Sequence, residues 1–503
     1  MRIGDLPFLL CTFVFDMNLK SLAKDTAIYG LSSIVGRFLN YLLVPLYTYR
    51  IAAESGGYGI VTNLYAYTAL FMALLTFGME TTLFRFSNKE DEDPDKVYST
   101  TLRLVGGVVL IFFALVMVFL KPIAGSMGYA SHPEYVGCMA AIVSMDAFQA
   151  IMFSRLRQQH RPMKFMLLKF AFIIPNILLN LYIFLLMPHG DLFVKYNYGV
   201  GLIFFSNFIC TALVFLGFIP ELKGLKYGWD GSLARRMLSY TWPLLLLSLV
   251  GILNQVADKI LLPKLIPGEE GIVQLGIYGA CVKIAMIMTL LTQAFRYAYE
   301  PIVFNGIKDK DSPDTLAQGM KYFVIFALLA FLGVMFYMPI LRHFVESGYW
   351  DGLKVIPIVM MAEIFMGIYF NLSFWYKLSD QTHWGAIISA IGAAVMIAVN
   401  VIFVPRYGFI ACAWGGFAGY GTAMLLSYII GQKKYPITYP IRRIAFFFAV
   451  AAAMYCISEM GLKNLPTWPR MAIETVMLLL YCLLIFKEIT GAMPWNRQAI
   501  RKN

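Results

Sequence analysis

Long apolar segments recur along almost the whole chain, and only short polar connections separate them. A helix needs about 20 mostly apolar residues to cross the roughly 30 Å hydrocarbon core of a bilayer. About fourteen segments meet this length, at approximately residues 26–48, 57–79, 100–120, 135–154, 166–187, 197–219, 239–262, 275–301, 321–341, 355–376, 384–404, 408–431, 443–460 and 470–487. The pattern predicts an all-α polytopic membrane protein of about 14 transmembrane helices. Its connections are too short to hold a soluble catalytic domain.

Composition excludes the main soluble classes. Apolar residues make up 59% of the chain and charged residues 14%, against about 45–50% and about 25% in soluble proteins. A cytosolic enzyme, a disordered chain and a disulfide scaffold are therefore excluded. The 7 cysteines form no C-x-x-C pair, and the 5 histidines have no second ligand at helical spacing. We expect no metal site, no catalytic residues and no cofactor, and hence a protein that is not an enzyme.

The distribution of basic residues predicts the orientation in the membrane. The formal net charge is +12, and most of the 41 lysine and arginine residues lie in alternate connections. Cytoplasmic loops of membrane proteins carry an excess of these residues. Both termini of this multi-pass protein are therefore predicted to be cytoplasmic.

Two stretches about 220 residues apart resemble each other. The matching positions are Tyr58-Gly59 with Tyr278-Gly279, Glu80 with Glu300, and Pro94-Asp95 with Pro313-Asp314. Because an even number of spans separates the copies, the two halves are predicted to be parallel six-helix lobes with a substrate site between them. The predicted divisions are 1–16 (a dispensable extension ahead of a natural start at Met17), 17–238 (N-lobe, helices 1–6), 239–431 (C-lobe, helices 7–12) and 432–503 (two extra C-terminal helices and a tail).

Charged side chains inside the predicted spans are the candidate functional residues, since each costs about 2.5–3.5 kcal/mol to insert at the bilayer centre. The basic ones are Arg37, Lys259, Lys283 and Arg296, and the acidic ones are Asp146, Asp258, Glu300 and Glu363. Polar residues that would line a cavity are Ser33, Asn40, Asn254, Gln255 and Gln293. Interhelical ion pairs that fix packing are one interpretation of such charges. Arg296 and Glu300 lie one helical turn apart and could pair.

Arg37 and Lys283 have no opposite charge one turn away on their own helices. Cations of this kind suit an anionic ligand such as a phosphate group.

Three segments carry a resemblance to a known family. They are Pro45-Leu46-Tyr47-Thr48 with Gly57-Tyr58-Gly59, then Ala257-Asp258-Lys259-Ile260-Leu261 with Gly276-Ile277-Tyr278-Gly279, and then 405–413, which reads PRYGFIACA. With the fourteen spans they resemble the Wzx-type polysaccharide flippases of the multidrug/oligosaccharidyl-lipid/polysaccharide (MOP) exporter superfamily, over nearly the whole chain from Met17.

The resemblance implies alternating-access translocation of undecaprenyl-pyrophosphate-linked oligosaccharide across the bacterial inner membrane, for synthesis of O-antigen, capsule or exopolysaccharide. Arg37 matches a basic position in the family's cationic cavity. Asp258-Lys259 stands where the family usually has Asp-Arg, and lysine keeps the charge but loses the bidentate guanidinium. The partners implied are the lipid-linked oligosaccharide and the bilayer, with polysaccharide polymerase and chain-length machinery as further candidates and no nucleic acid.

Two alternatives stay open from the sequence. A cation-coupled multidrug exporter of the same superfamily would have an acidic, aromatic cavity, whereas basic residues predominate on the first, seventh and eighth spans. A polytopic polysaccharide polymerase or lipid-linked glycosyltransferase would need a large external loop with catalytic residues. Coupling to protons or sodium is also open, with Asp146, Asp258, Glu300 and Glu363 as candidates for ion binding or for charge balance.

Overall fold

The computed structural model describes residues 41–187, 199–222, 228–305 and 312–491, together with Val35 and Leu39. All regular structure within these residues is helical, and they contain no strand. The apolar segments form helices because lipid offers no hydrogen-bond partners, so each segment must satisfy its own backbone N–H and C=O groups. The predicted all-α polytopic class is confirmed.

We number the α-helices of these residues in chain order. They are α1 (Leu43–Arg50), α2 (Gly57–Thr76), α3 (Met79–Ser87), α4 (Pro94–Val118), α5 (Leu120–Ser126), α6 (Pro133–Gln158), α7 (Pro162–Leu181), α8 (Val200–Gly217), α9 (Ile219–Leu222), α10 (Gly231–Leu265), α11 (Glu269–Asn305), α12 (Ser312–Phe336), α13 (Met338–Leu341), α14 (Ile356–Leu372), α15 (Phe374–Leu378), α16 (His383–Tyr407), α17 (Phe409–Lys434), α18 (Ile441–Cys456) and α19 (Thr467–Ile489). Turns of 3₁₀ helix cover Ala53–Ser55, Arg342–Phe344 and Ser347–Val355, and π turns follow α7 and α18 at Tyr182–Leu186 and Ile457–Gly461.

In the described part of the chain, 12 helical stretches are long and apolar enough to cross a membrane. They run from Gly57–Ser87 to Ile441–Gly461 and correspond to the second through thirteenth predicted segments. The first predicted segment lies mostly outside the described residues, and the last one forms α19, which is not among the twelve. The count of fourteen and the cytoplasmic termini therefore remain predictions, and residues 1–16 lie outside the described residues.

The chain divides into two compact units. The first contains the described residues of Met1–Arg50 and Leu64–Ile252, and the second contains Ile51–Asn63 and the described residues of Leu253–Asn503. The predicted lobe boundaries at 238/239 and 431/432 stay predictions.

The core of the first unit forms around α6, which packs against α4 and α8. Ala147, Ile151 and Leu156 of α6 are fully buried in this core. A polar contact in the same unit explains one of the sequence motifs, because the Tyr47 hydroxyl donates to Asn180 Oδ1 at 2.9 Å. Both side chains are buried, and satisfying them inside the bundle avoids unpaired polar groups in an apolar environment.

Glycines set the packing of the second unit. The start of α2 crosses α11 so closely that a Cβ on Gly59 would lie 1.9 Å from the Ile272 carbonyl oxygen and 3.0 Å from the Gly276 nitrogen. A Cβ on Gly279 would lie 2.6 Å from Thr62 Oγ1. Small residues allow helix backbones to approach in this way. The Tyr-Gly positions of the sequence repeat are therefore packing positions at one helix crossing.

A buried ion cluster joins the last helix to its neighbours in the second unit. The Glu488 carboxylate of α19 has no exposed side-chain surface, and Lys321 Nζ of α12 lies 2.8 Å from it. Arg443 Nη1 of α18 lies 3.1 Å from the same oxygen. Lys321 is thus a buried structural cation inside α12.

The acidic residues of the predicted repeat both form ion pairs. Glu80 lies 3.0 Å from Arg157 in the first unit, and Glu300 lies 3.7 Å from Lys377 in the second. The two cations are separated by the same interval of about 220 residues as the two carboxylates. Each unit therefore has an equivalent ion pair at equivalent positions, as an internal repeat would produce.

Candidate functional site

The predicted site residues are unevenly distributed in the structure. Ser33, Arg37 and Asn40 lie outside the described residues. Asp146 belongs to the first unit, and the other predicted residues belong to the second.

Asp258 is held by three hydrogen bonds near the end of α10. The residue is 6% exposed, and its Oδ2 accepts from the Tyr278 hydroxyl at 2.8 Å. Lys259 Nζ lies 3.0 Å from both carboxylate oxygens and also donates to the backbone carbonyl of Gln255 at 2.9 Å. The charge of Asp258 is therefore compensated within the protein, and Lys259 is ion-paired.

Lys283 differs from Lys259 in its surroundings. It lies on α11, where it is half-buried, and the described residues provide it with no hydrogen bond and no ion pair. Its electrostatic neighbour is Lys259, another cation. Two like charges disfavour each other. Binding of an anion by Lys283 therefore stays a prediction, and no ion pair among the described residues competes with it.

Glu363 of α14 lies close to the same charges. Its Oε2 accepts a hydrogen bond from Thr289 Oγ1 of α11 at 3.1 Å. The carboxylate also interacts electrostatically with Lys259 and with the Tyr420 hydroxyl of α17. Four helices of the second unit, α10, α11, α14 and α17, thus bring ionisable groups together.

The predicted pair between Arg296 and Glu300 forms, with Nε 3.3 Å from Oε1. Lys377, at the end of α15, shares the Glu300 carboxylate at 3.7 Å. The ring of Phe370 lies 4.8 Å from the charged groups of both cations. Gln293 lies one turn before Arg296 on α11 and is half-buried. This end of α11 is therefore a two-cation, one-carboxylate cluster with an aromatic face.

Asn254 and Gln255 lie one turn before the Asp258 pair on α10. Asn254 Nδ2 donates to the Ser389 carbonyl at 3.2 Å, and its backbone carbonyl accepts from the Tyr420 hydroxyl at 2.9 Å. Asn254 therefore connects α10 to α16 and α17. The Gln255 side chain is exposed and remains a cavity-lining candidate.

Asp146 of α6 is accompanied by residues of the first unit. Thr211 Oγ1 of α8 lies 3.4 Å from its Oδ1, and Lys169 of α7 interacts with it electrostatically. The Lys169 ammonium also lies 4.1 Å from the ring centre of Phe153. Lys169 lies within a helix long enough to span the membrane, and its charge balances that of Asp146.

Sequence reasoning found the ionisable groups and missed their partners on other helices. The missed partners are Tyr278, which donates to Asp258, Thr289, which donates to Glu363, and Lys377, which pairs with Glu300. Helical spacing identifies neighbours on one helix, and no equivalent spacing rule exists across helices. For Tyr278 a signal was present, because it belongs to one of the motifs that also contain Asp258.

The motif that contains Tyr278 and the PRYGFIACA segment pack together within the second unit. The chain reverses between α16 and α17 at Gly408, whose φ of 61° is readily adopted only by glycine. A Cβ there would lie 2.3 Å from Gln274 Oε1 of α11, and that oxygen accepts from the Phe409 backbone nitrogen at 3.2 Å. The PRYGFIACA segment is thus attached to α11 one turn before Tyr278.

Solved structures with a similar fold come from two groups of transporters. A structure described as lipid II flippase MurJ in an inward closed conformation has a TM-score of 0.71 and 16% identity, covering 92% of this chain and 99% of that chain. An inward-facing multidrug resistance MATE family transporter of the MOP superfamily has a TM-score of 0.61 and 13% identity, covering 84% and 96%. The MATE multidrug transporter DinF-BH, in a complex, has a TM-score of 0.57 and 17% identity, covering 85% and 96%. At these identities the similarity shows the fold.

The family follows from the sequence match. No curated protein matches the chain. Residues 22–301, more than half of the chain, match the family described as polysaccharide biosynthesis protein. This match agrees with the polysaccharide-synthesis part of the resemblance, and the solved structures add that the fold is shared with MurJ and MATE transporters. This multi-pass membrane protein belongs to the polysaccharide biosynthesis protein family.

Proposed function

We propose that the protein translocates undecaprenyl-pyrophosphate-linked oligosaccharide across a bacterial inner membrane by alternating access, for surface polysaccharide synthesis. Membership of the polysaccharide biosynthesis protein family supports this proposal, as does the fold shared with a protein described as a lipid II flippase. The role is transport rather than catalysis.

The observation that carries the proposal is the position of Lys283. It lies within a helix long enough to span the membrane and has no ion pair among the described residues. Nearby carboxylates are already engaged, Asp258 by Lys259 and Tyr278 and Glu363 by Thr289. A cation retained in an apolar region at a cost of about 2.5–3.5 kcal/mol marks a ligand pathway.

A pyrophosphate-linked lipid suits such a cation. The pyrophosphate and the glycan must cross about 30 Å of hydrocarbon, whereas the polyprenyl tail can stay in the lipid. An ammonium group in the pathway lowers the barrier for the phosphate charge by forming charge-assisted hydrogen bonds. We assign this role to Lys283, with Arg37 as a second cation carried over from the family resemblance.

Leaflet distribution of the lipid-linked repeat unit in cells tests the proposal. A strain that lacks the protein should accumulate the unit in the cytoplasmic leaflet. At equal protein level Lys283→Ala should reproduce this accumulation, and Lys283→Arg should retain activity because it keeps the charge. The matched control is Lys354→Ala, since that exposed lysine pairs with Asp351 at 2.7 Å in the 3₁₀ turns at Ser347–Val355.

Two outcomes of this experiment distinguish the proposed function from the role assigned to Lys283. A wild-type distribution in the deletion strain would overturn the proposed function. Normal polysaccharide output from Lys283→Ala, with accumulation in the deletion strain, would overturn only the role of Lys283.

A cation-coupled multidrug exporter is the alternative, because MATE transporters share the fold. It predicts efflux of a cationic dye by the purified protein and no flipping of lipid-linked oligosaccharide. The excess of basic over acidic groups around Glu300, where Arg296 and Lys377 share one carboxylate, favours an anionic substrate.

Ion coupling forms a separate part of the proposal. Asp258 and Glu300 are ion-paired, which leaves Glu363 and Asp146 as the coupling carboxylates. Glu363→Gln and Asp146→Asn should then alter how the flipping rate depends on pH or on a sodium gradient. Unchanged pH and sodium dependence in both variants would eliminate coupling through them. Polysaccharide polymerase and chain-length machinery remain proposed partners.

A further inference from the structure

A cationic cavity lies in the first unit, and none of the residues assigned above lines it. Its volume is about 520 Å³, within the usual range for small-ligand sites. It is lined by Arg85, Phe86, Lys89, Arg235, Arg236, Ser239 and Tyr240. We propose that this cavity binds the phosphate group of an anionic membrane lipid.

Two helix ends form the cavity and hold it in shape. One is the C-terminal end of α3, which carries Arg85, and the other is the first turns of α10. Thr82 Oγ1 and Thr241 Oγ1 are hydrogen-bonded at 2.6 Å between these helices, and both residues are buried. The Arg85 guanidinium lies 4.2 Å from the centre of the Tyr240 ring. The walls of the cavity are therefore preformed, which lowers the entropic cost of binding.

Most of the positive charge in the cavity has no counterion. Arg236 Nη1 lies 2.6 Å from Glu92. In contrast, Arg85, Lys89 and Arg235 form no ion pair with any described residue, and all three are exposed. Like charges that line one cavity repel each other until an anion enters. The cavity therefore favours an anion that carries more than one acceptor oxygen.

Two neighbouring acidic residues, Asp93 and Asp230, have other hydrogen-bond partners, whereas Glu90 and Asp91 are exposed and form no ion pair with any described residue. Asp93 Oδ1 accepts from the Asp95 backbone nitrogen at the start of α4. Asp230 lies 2.6 Å from Lys96, and the hydrogen bond from Lys96, with those from the backbone of Leu233 and the hydroxyl of Ser232, lowers the pKa of Asp230. Asp230 thus stays ionised and tied to Lys96 instead of neutralising the arginines.

Both the chemistry and the location fit a lipid phosphate. Guanidinium groups bind phosphate oxygens in a bidentate manner, and the Ser239 and Tyr240 hydroxyls add donors. Arg85 lies near the end of the Gly57–Ser87 span and Arg235 near the start of the Gly231–Leu265 span. The ends of spanning helices lie at the level of the lipid headgroups, and basic pockets between such helices on the cytoplasmic side bind anionic headgroups. The span ends that carry Arg85 and Arg235 are both predicted to lie on the cytoplasmic side.

Calorimetry on the purified full chain in neutral detergent tests this inference. The probes are a short-chain phosphatidylglycerol, the matched phosphatidylcholine and inorganic pyrophosphate. We expect phosphatidylglycerol to bind more tightly than phosphatidylcholine, with pyrophosphate competing for the same site. Arg85→Gln with Arg235→Gln should weaken phosphatidylglycerol binding by about tenfold or more, because two charged hydrogen-bond donors are lost.

Three further variants and readouts keep the result interpretable. Arg406→Gln with Lys463→Gln removes the same charge from exposed positions of the second unit and should leave binding unchanged. The double variant Arg85→Lys with Arg235→Lys should bind phosphatidylglycerol with intermediate affinity. That result would show that the weaker binding of the glutamine double variant comes from lost charge and not from misfolding. Equal binding by the wild type and the Arg85/Arg235 glutamine variant would overturn the proposal, and binding of pyrophosphate without lipid would overturn the lipid source. The flipping assay tests the proposed transport separately, so that either proposal can fail alone.

Discussion

Replacement of Gly59 by alanine should destabilise the second unit. A Cβ at this position would lie 1.9 Å from the Ile272 carbonyl oxygen, whereas carbon–oxygen contacts normally begin at about 3.3 Å. The shortfall is therefore about 1.4 Å. Because the atom it meets belongs to the backbone, no rotamer change can relieve the clash, and α2 and α11 must separate.

The expected cost follows from this displacement. Overpacking of a well-packed interior costs about 1–3 kcal/mol. Because the clash is with the backbone, we expect Gly59→Ala to lower the free energy of unfolding by about 3 kcal/mol. That value corresponds to an increase of about a hundredfold in the unfolding equilibrium constant. The matched control is Gly107→Ala on α4, where a Cβ would meet nothing within 4 Å. Its change should be at most about 1 kcal/mol, in the stabilising direction, since alanine is the better helix former.

Reversible unfolding in mixed micelles, followed by circular dichroism, measures both variants against the wild type. Gly59→Ala should lower the free energy of unfolding and Gly107→Ala should not. Equal stability of Gly59→Ala and the wild type would refute the close helix crossing, and equal losses in both variants would show that any added methyl group is disruptive.

Further predictions concern ion pairs. Glu488→Gln removes a carboxylate shared by two cations and should lower the free energy of unfolding by about 3–5 kcal/mol in the same assay. Glu80→Arg and Arg157→Glu should each lower the free energy of unfolding, and the double variant, which exchanges the two charges, should restore it. A double variant that is no more stable than the single variants would refute the ion pair. The hydrogen bond from Lys96 lowers the pKa of Asp230 in the folded protein. The ionised carboxylate of Asp230 therefore stabilises the fold at a pH above the pKa that this group has in the unfolded chain. This stabilisation is lost as the pH falls through the lower pKa of the folded protein. Asp230→Asn should therefore reduce the acid-induced decrease in Tm, and an unchanged pH profile would contradict this assignment.

The sequence predicts the helices well because a membrane restricts the solutions. Any segment such as 384–404 or 408–431 that is apolar over about 20 residues has to be a helix in lipid. The observed helices α16 and α17, His383–Tyr407 and Phe409–Lys434, agree with these segments within a few residues. The chain turns at Gly408, which is the first residue of the second predicted segment.

The candidate site is only partly predictable for a physical reason. Arg296 and Glu300 share one helix, and their pairing follows from helical spacing. The partner of Asp258 is Tyr278, which lies on the next helix, and its hydroxyl reaches the carboxylate because of how α10 and α11 pack. The sequence put Lys259 and Lys283 in one candidate set and singled out Lys283, and packing then pairs Lys259 with Asp258 and leaves Lys283 without an ion pair among the described residues.

Flipping by the purified protein in liposomes tests the central claim most directly. A labelled undecaprenyl-pyrophosphate-linked oligosaccharide is incorporated, and the fraction accessible to an external glycosidase is followed with time. The wild type should equilibrate the substrate between leaflets, and Lys283→Ala should fall toward the rate of protein-free liposomes while Lys354→Ala does not. Wild-type liposomes that exchange no faster than empty ones, with correctly folded protein present, would contradict the proposed function.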